Sequence, residues 1–198
     1  RNTVRRALSM LADEMYVQPI HGKGVRVIWL KGETDMLGAL EEVESFGEFA
    51  KRNNAVASTD VKSFEHLICT EQLSRRLGFK VGEELIRVVR VRSLNGSARQ
   101  VDHGYFLESI AKGLTPEIAE KSIYDYLEHK RGVKVMASRR TVSVELANDE
   151  DCSYLDLGKY NCVAVMESQS YTSDGILFEV THARTHPEIF HYRVNSKR

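Results

Sequence analysis

The sequence has few of the residues that mark secreted, fibrous or membrane proteins. Its 198 residues include only three prolines and three cysteines, and no segment is of low complexity. The longest apolar runs, such as residues 25–30, are far shorter than the roughly 20 residues needed to span a bilayer, and Arg26 interrupts that run. These absences argue against a linker protein and against a membrane protein, so we expect no membrane partner.

The cysteines are also too few and too scattered for a disulfide framework. Cys69, Cys152 and Cys162 are odd in number and form no C-x-x-C pair, which also argues against a structural zinc site. No signal peptide opens the chain, so a reducing, cytoplasmic location is expected. The first residue is Arg1 and not Met, and we expect the chain to begin inside a longer protein.

Charge is balanced overall, with 28 basic and 28 acidic residues, but it is unevenly distributed. Residues 1–31 contain six basic and two acidic side chains, a local charge of +4, so the remaining residues carry −4. This asymmetry excludes a uniformly basic nucleic-acid coat. It favours a basic end that faces a polyanion, attached to a neutral or acidic body.

Residues 3–12 have the periodicity of an amphipathic helix. Val4, Leu8 and Leu11 recur at i, i+4 and i+7 and form its apolar face. The polar residues at its N-terminal end are suited to contact bases and phosphates in a major groove: Arg1, Asn2, Thr3, Arg5 and Arg6. The alternative is a basic first turn that is simply solvated.

A short hairpin with a basic tip is predicted directly after this helix. Residues 16–20 and 25–29 read as strands, and His21-Gly22-Lys23-Gly24 reads as the turn between them. A helix followed by a hairpin with a basic tip is the order of elements found in a winged helix-turn-helix. In an ordinary β-hairpin, by contrast, the two glycines would only satisfy turn geometry.

The pattern R-N-T-V-R-R-A-L-x-x-L, followed by an acidic residue and a G-x-G turn, resembles the recognition helix and wing of the GntR family of bacterial transcription regulators. The resemblance covers about 30 residues. Met15 departs from the glycine that is common there, and the two helices that precede the recognition helix in that family are missing. The resemblance implies that DNA is contacted by Arg1, Asn2, Thr3, Arg5, Arg6, His21 and Lys23.

The body of the chain alternates helical and strand patterns without the strict βαβ order of a doubly wound fold. Residues 32–38 read as a linker, and helices are predicted at 39–53, 70–77, 116–130 and 148–157. Strands are predicted at 56–68, 85–94, 98–107, 133–146, 161–171, 176–184 and 190–194, with Asn95-Gly96 as a hairpin turn. The fold class expected is α+β, with an antiparallel β-sheet and flanking helices.

This body resembles the UTRA effector domain of the HutC branch of GntR regulators, which has a chorismate-lyase-like fold. The best-matched pieces are Arg90-Val91-Arg92, Ser122-Ile123-Tyr124 and Leu177-Phe178-Glu179. Residues 122–126 and 154–157 are most similar to the trehalose-operon repressors of that branch. The predicted domains are a partial winged helix at 1–31, a linker at 32–38 and an effector domain at 39–198.

Arg90 and Arg92 lie two residues apart on a predicted strand, so both guanidinium groups project from one face. Two such groups suit a phosphate dianion, although an exposed strand face with ordinary ion pairs is an alternative. Ser122 and Asp125 have the spacing of a helix cap, and the start of a helix favours anions. Ser122 could equally be a cap and nothing more.

The resemblance assigns further roles to residues of the body. It implies that Arg90, Arg92, Ser122 and Tyr124 bind an effector phosphate, and that Ser45 and Phe46 close over the ligand. It also implies that Asp102 and Glu179 accept hydrogen bonds from sugar hydroxyls, whereas either acid could instead be a surface strand residue. Asp102 is one methylene shorter than the Glu of amino-sugar-phosphate sensors, so the same sugar is not assumed.

We expect no cofactor and no metal ion. His182 and His186 would converge on a metal only on a helix, whereas their segment reads as strand, and Pro187 precedes His191. The sequence predicts a transcription regulator, a repressor, that binds palindromic operator DNA as a homodimer and senses a phosphorylated metabolite, a sugar phosphate. The alternatives are an enzyme on the same fold and a stand-alone small-molecule-binding module.

Overall fold

The structure, a computed structural model, describes residues 2–28, 37–38 and 43–192. Its first part is helix α1 (Asn2–Asp13), followed by the antiparallel hairpin of β1 (Val17–Ile20) and β2 (Gly24–Val27) and by the two-residue strand β3 (Leu37–Gly38). No residue of α1 is buried. The predicted helix and basic-tipped hairpin are therefore present, and their assignment to a winged helix stays a prediction.

The rest of the described chain is built around one six-stranded antiparallel sheet. Its strands are β4 (Ala57–Ile68), β5 (Glu84–Leu94), β6 (Ser97–Leu107), β7 (Val135–Leu146), β8 (Cys162–Thr172) and β9 (Leu177–Thr185). They lie in the order β4-β5-β6-β9-β8-β7, so β9 separates β6 from β8. A final strand, β10 (His191–Tyr192), pairs in parallel with β3 instead of joining the sheet.

Short helices connect these strands and cover parts of the sheet. They are α2 (Phe46–Arg52), α3 (Glu71–Leu77), α4 (Pro116–Ala119), α5 (Ile123–Asp125) and α6 (Asp149–Tyr154). A π-helix over Tyr126–Lys130 continues α5, and a 3₁₀ turn over Pro187–Ile189 precedes β10. Side chains cap the N-termini of α2, α3 and α5. Ser45, Thr70 and Ser122 each accept a hydrogen bond from a backbone N–H three residues on.

The strand register follows from local turn chemistry. Asn95 and Gly96 have φ angles of 51° and 82°, the left-handed conformations that a tight two-residue hairpin requires. This turn places Arg90 opposite Asp102 and Arg92 opposite Gln100 on the same face of β5 and β6. The other face is apolar in this region, where Val89, Val101, Val163 and Val165 pack with Leu155 and Leu157.

The structure corrects three details of the predicted elements. The helix predicted at 39–53 begins at Phe46, because Ser45 and Glu48 form a reciprocal capping box, while residues 39–42 lie outside the described chain. The single helix predicted at 116–130 is three short segments. Residues 37–38 of the predicted linker are paired with β10. Residues 193–194 of the last predicted strand lie outside the described residues.

The antiparallel sheet with flanking helices is confirmed. Among the helices that the structure describes, none is long and apolar enough to cross a membrane.

Candidate functional site

The floor of the candidate site is one face of the sheet. Residues that alternate along the strands line it, with Arg90 and Arg92 on β5, Asp102 on β6, Glu179 on β9 and Arg140 on β7. Cross-strand register brings them together, because Asp102 lies opposite both Arg90 on one neighbouring strand and Ala183 on the other. The site is therefore built by long-range pairing across five strands, in the order β5-β6-β9-β8-β7.

Three loop and helix segments cover this floor and enclose a cavity of about 160 Å³. They are the start of α2, the residues at the start of α5, and the segment from Ile189 to Tyr192. All eight effector-site candidates from the sequence line this one cavity: Ser45, Phe46, Arg90, Arg92, Asp102, Ser122, Tyr124 and Glu179. Residues separated by more than 130 positions in the chain thus share one chamber.

Two arginines share one carboxylate oxygen at the bottom of the cavity. Arg90 Nη2 donates to Asp102 Oδ2 at 2.5 Å, and Arg92 donates to the same oxygen from Nη2 at 2.8 Å and from Nε at 3.2 Å. Arg90 and Asp102 are buried, at 4% and 2% exposure. Arg90 therefore does not lie on an exposed strand face, and Asp102 is not a surface acid. The sequence had left both alternatives open.

Burial and the two neighbouring positive charges of Arg90 and Arg92 determine the pKa shifts in this cluster. Burial disfavours a charged carboxylate, but Arg90 and Arg92 outweigh it and lower the pKa of Asp102 to about 2. Burial and the neighbouring Arg92 lower the pKa of Arg90. Within the described residues, Arg90 Nε is buried and has no hydrogen-bond acceptor, so the cluster has donor capacity that Asp102 does not use.

Arg92 also connects the floor of the cavity to its cover. Its guanidinium carbon lies 5.1 Å from the centroid of the Phe46 ring, within range of a cation–π interaction. The Phe46 ring stacks on that of Phe49 at 6.3 Å between centroids. The position of α2 is thus sensitive to where the Arg92 side chain points.

A second polar cluster joins α5 to β9. Tyr124 Oη donates to Glu179 Oε2 at 2.5 Å and lies 3.2 Å from Ser170 Oγ. Burial raises the pKa of Glu179, although hydrogen bonds from Tyr124 and Ser170 oppose the shift. Burial, and then the negative charge of Glu179, raise the pKa of Tyr124 well above its ordinary value. A phenol and a carboxyl group held together in this way can exchange hydrogen bonds with sugar hydroxyls.

The two serine candidates act as helix caps in the structure. Ser122 Oγ accepts from Asp125 N at 3.2 Å, and Ser45 Oγ accepts from Glu48 N at 3.3 Å. A hydroxyl that accepts from the backbone still has its own proton to donate. Capping and ligand contact are therefore compatible for both residues.

Sequence reasoning missed several residues that line the cavity. They are mostly polar or aromatic: Gln100, Lys121, Ser138, Arg140, Ser168, Thr181, Thr185, Phe49, Phe190 and Tyr192. Ser138 and Arg140 have the same i, i+2 spacing on a strand as Arg90 and Arg92, so this signal was readable. The aromatic pair Phe190 and Tyr192, with ring centroids 4.8 Å apart, had no such signal, because only the return of the chain after β9 places it over the cavity.

The DNA-contact candidates lie apart from this cavity, in α1 and the hairpin. Asn2, Thr3, Arg5 and Arg6 are exposed on α1, and His21 and Lys23 are exposed in the turn between β1 and β2. Arg1 lies outside the described residues. These side chains are accessible to a polyanion, which is what a nucleic-acid contact requires.

Two of the histidines considered for metal binding, His182 and His186, have other partners. His182 Nδ1 lies 3.2 Å from Glu167 Oε1, and His186 Nε2 lies 3.1 Å from the carbonyl oxygen of Asp156. Within residues 2–28, 37–38 and 43–192, no group of three or more His, Cys, Asp or Glu side chains is placed to hold a metal ion.

Comparison with known proteins gives consistent matches. Residues 52–191 match the UTRA domain family. The chain is 31% identical to the HTH-type transcriptional regulator TreR of Bacillus subtilis over 192 residues, which cover 97% of this chain and 79% of that protein. The effector-binding domain of the B. subtilis trehalose repressor (TreR) superposes with a TM-score of 0.63 at 28% identity, covering 71% of this chain and 98% of that domain.

The fold is similar beyond that domain. The crystal structure of the possible transcriptional regulator YydK from B. subtilis superposes with a TM-score of 0.74 at 22% identity. The superposition covers 99% of this chain and 82% of that one.

Proposed function

Because this chain belongs to the UTRA family of GntR-type transcriptional regulators, we propose that it represses transcription from operator DNA and releases or retains that DNA according to a phosphorylated sugar bound in the cavity. Its relatives are named as transcriptional regulators, which confirms the expectation of a regulator and not an enzyme. The chemical identity of the effector is the part that we propose from the site.

The observation that carries the phosphate proposal is the pair of guanidinium groups that share one carboxylate oxygen. Asp102 offers one negative charge to Arg90 and Arg92, and Arg90 Nε has no acceptor among the described residues. A phosphate dianion would supply both the missing charge and the missing acceptor. Ser122, whose hydroxyl accepts from Asp125 N and can still donate its own proton, lines the same cavity from the covering segment at the start of α5.

Other residues of the cavity support a sugar attached to that phosphate. Hydroxyl and amide side chains that can exchange hydrogen bonds with a sugar line the floor: Gln100, Ser138, Ser168, Thr181 and Thr185. Aromatic rings of Phe46, Phe190 and Tyr192 offer apolar faces for sugar C–H groups. Trehalose, named for the relative TreR, is therefore the first sugar whose phosphorylated form we would test.

The DNA-binding end of the proposal rests on α1 and the hairpin. We place the partial winged helix at residues 1–31, the linker at 32–38 and the effector domain at 39–198, in a cytoplasmic homodimer. The exposed arginines of α1 suit a major groove, and the exposed Lys23 at the hairpin tip suits backbone phosphates.

A short parallel pairing offers the physical link between cavity and linker. Tyr192 lines the cavity and belongs to β10, which pairs with β3 through His191 opposite Leu37 and Tyr192 opposite Gly38. An effector that displaces Tyr192 would displace β10 and therefore the chain that leads back to the hairpin. The effector shifts the population only as far as its affinities for the two arrangements differ.

Calorimetric titration of the chain with trehalose, with its phosphorylated form and with hexose phosphates tests the proposal. We expect a phosphorylated sugar to bind and the matching free sugar to bind weakly. Arg90→Ala and Arg92→Ala should each lower affinity for the phosphorylated sugar roughly 30- to 1000-fold, the value of about 2 to 4 kcal/mol for a charge-assisted contact.

Arg87→Ala is the matched control, because Arg87 lies on the same strand β5 but pairs with Glu65 and does not line the cavity. It should leave affinity unchanged. Equal affinity of the wild-type chain for sugar and sugar phosphate would contradict the phosphate site, while the family assignment would stand.

A further inference from the structure

A second cavity, of about 140 Å³, lies on the face of the sheet opposite the effector cavity. Its volume is well above the roughly 10 to 15 Å³ that a single water molecule requires. Arg139 of this cavity lies between Ser138 and Arg140 of the effector cavity on β7, and the same alternation holds on β8 and β9. Successive residues of a strand point to opposite faces, so the two cavities share strands but no described lining residue.

Cross-strand register assembles the floor of this second cavity. Its side chains stand in two adjacent rows across β7, β8 and β9: Arg139-Gln169-Val180 and Thr141-Glu167-His182. Arg76, from helix α3, joins them at the side of the cavity. The lining is therefore polar apart from Val180, and it combines three strands with a helix that precedes them in the chain.

The guanidinium group of Arg76 is positioned by a buried tyrosine. Arg76 Nη2 donates to Tyr105 Oη at 2.7 Å, and the guanidinium carbon lies 5.5 Å from the centroid of the Tyr105 ring. Tyr105 is only 6% exposed. This contact uses one N–H of a guanidinium that carries several, so the others remain for a ligand. Because the ring already restricts Arg76, binding a ligand there costs less side-chain entropy than it would on a freely moving arginine.

The second cavity carries an excess of positive charge. In the described part of the chain, neither Arg76 nor Arg139 forms an ion pair with a carboxylate. The carboxylate of Glu167 has His182 Nδ1 at 3.2 Å instead. Burial lowers the pKa of His182, and although Glu167 opposes the shift, Arg76 adds to it, so the ring is neutral at neutral pH. Two guanidinium groups and one carboxylate therefore leave one net positive charge among the described lining residues.

The side chains around this charge suit a single oxyanion group. Guanidinium groups donate in a planar fork that matches the oxygens of a phosphate or a carboxylate. Thr141 adds a hydroxyl donor, and Gln169 has a second amide hydrogen besides the one directed at Leu77 O, 3.5 Å away. The Glu167 carboxylate repels further negative charge, which disfavours a long polyanion such as DNA. A small ligand with one phosphate or carboxylate group meets both conditions.

We propose that this cavity binds a second small ligand through a phosphate or carboxylate group, held by the guanidinium groups of Arg76 and Arg139. The proposal goes beyond the effector of the proposed function, and it does not depend on that effector because the two cavities share no described lining residue. The second ligand lies against β7 and β9, which carry Arg140 and Glu179 of the effector cavity on their other face. The same two strands therefore contact a ligand on each face.

Nuclear magnetic resonance of the histidine ring protons tests the site in the full chain, because His182 lies in the cavity floor. The His182 signal is assigned by its loss in His182→Gln. Inorganic phosphate and sodium succinate are titrated separately at constant neutral pH, with sodium chloride at equal ionic strength as the reference. We expect a saturable shift of the His182 signal with at least one oxyanion, and the one that saturates at the lower concentration identifies the preferred group. Shifts no larger with either oxyanion than with chloride would overturn the proposal.

Arg76→Ala and Arg139→Ala should each raise the dissociation constant measured at His182 at least about tenfold, since each removes a charge-assisted contact. Arg75→Ala is the matched control, because it removes the same charge from the same helix, while Arg75 is exposed and does not line the cavity. It should leave the dissociation constant unchanged.

Melting temperatures of these variants check that each one folds. Arg139 is exposed on β7, so Arg139→Ala should fold and test the site even if Arg76→Ala disturbs the packing of α3 on Tyr105. An unchanged dissociation constant in both folded variants would mean that the shift at His182 arises elsewhere, as from phosphate bound in the effector cavity. That result would overturn the second site and leave the proposed function standing.

Discussion

Arg90 Nη2 lies 2.5 Å from Asp102 Oδ2 between two paired strands, and both side chains are buried. Two guanidinium groups therefore depend on one carboxylate, because Arg92 Nη2 reaches the same oxygen at 2.8 Å. Removing one member of a buried charge cluster is costly, since it leaves the others uncompensated. The cluster is thus both a structural element and the feature on which the phosphate proposal depends.

We expect Asp102→Asn to lower the free energy of unfolding by about 3 to 5 kcal/mol, because Arg90 and Arg92 lose their counter-charge. Urea denaturation in chloride measures the loss. Inorganic phosphate at equal ionic strength should stabilise the variant more than the wild type, as an anion can replace the carboxylate. Glu65→Gln, which removes the exposed partner of Arg87, should cost less than about 1 kcal/mol. Equal phosphate effects on wild type and Asp102→Asn would speak against an anion site.

Acid should weaken the protein through Asp102 in a defined pH range. Its pKa of about 2 in the folded chain is lower than its ordinary value of 3.8. The ionised group therefore contributes stability above pH 4 that is lost as pH falls toward 2. The contribution is roughly 2 kcal/mol. The pH dependence of unfolding between pH 5 and 2 should be shallower in Asp102→Asn than in the wild type, and parallel curves would contradict this assignment.

Glu179 should make stability depend on pH in the direction opposite to Asp102, and Glu179→Gln should reduce that dependence. Burial raises the pKa of Glu179 above its ordinary value of 4.5 in the folded chain. The neutral form is therefore favoured by folding, and stability present below pH 4.5 is lost as pH rises through the raised pKa. The amide carries no charge, so the variant should be less sensitive to pH from 4.5 upward and no less stable at neutral pH. Thermal melts of the wild type and the variant from pH 4.5 upward test this expectation. It would be contradicted if Glu179→Gln lowered the melting temperature more at high pH than at low pH.

Binding of sugar should weaken in Glu179→Gln even if its stability does not. The Glu179 carboxyl group accepts from Tyr124 Oη at 2.5 Å and lines the cavity, and an amide in its place has one acceptor oxygen and an NH2 group that only donates. We expect at least about a tenfold loss of affinity for the phosphorylated sugar by calorimetry, consistent with a loss of about 1.4 kcal/mol. Glu167→Gln, a partner of His182 that does not line this cavity, serves as the control.

Arg5→Ala and Lys23→Ala should weaken operator binding without changing effector affinity, because both side chains are exposed in α1 and the hairpin turn. Each lost phosphate contact should also reduce the slope of log affinity against log salt by about one unit. The measurement is fluorescence anisotropy of the protein with operator DNA. Arg131→Ala is the control, because Arg131 is exposed at the end of the π-helix over Tyr126–Lys130, far from α1 in the sequence. Unchanged operator affinity in both variants would remove the winged-helix assignment.

Some features of the site could be read from the sequence because they depend on neighbouring residues. The alternation of a strand places Arg90 and Arg92 on one face, and Asn95-Gly96 requires the tight turn that starts β6. Ser122 caps a helix because Asp125 N is three residues away. These relationships need only local backbone geometry, which the order of residues determines.

Other features depended on how distant segments pack. The sequence did not reveal that Asp102 neutralises Arg90 and Arg92, or that Tyr124 donates to Glu179 55 residues away. Burial raises the pKa of both Asp102 and Glu179, but Arg90 and Arg92 reverse the shift at Asp102, and only the folded chain provides those neighbours.

The sequence by itself indicated the family, most of the strands and turns, and candidate residues for the site. The tertiary structure alone decided which of these residues meet and which edge stays open. The helix predicted at 39–53 illustrates the difference, since its periodic pattern continues upstream while the Ser45 cap starts the helix at Phe46. Strand β7 reads like its neighbours in sequence, yet only its place at the end of the sheet leaves Val144 exposed. Local propensity acts between neighbouring residues, whereas burial depends on every segment that packs nearby.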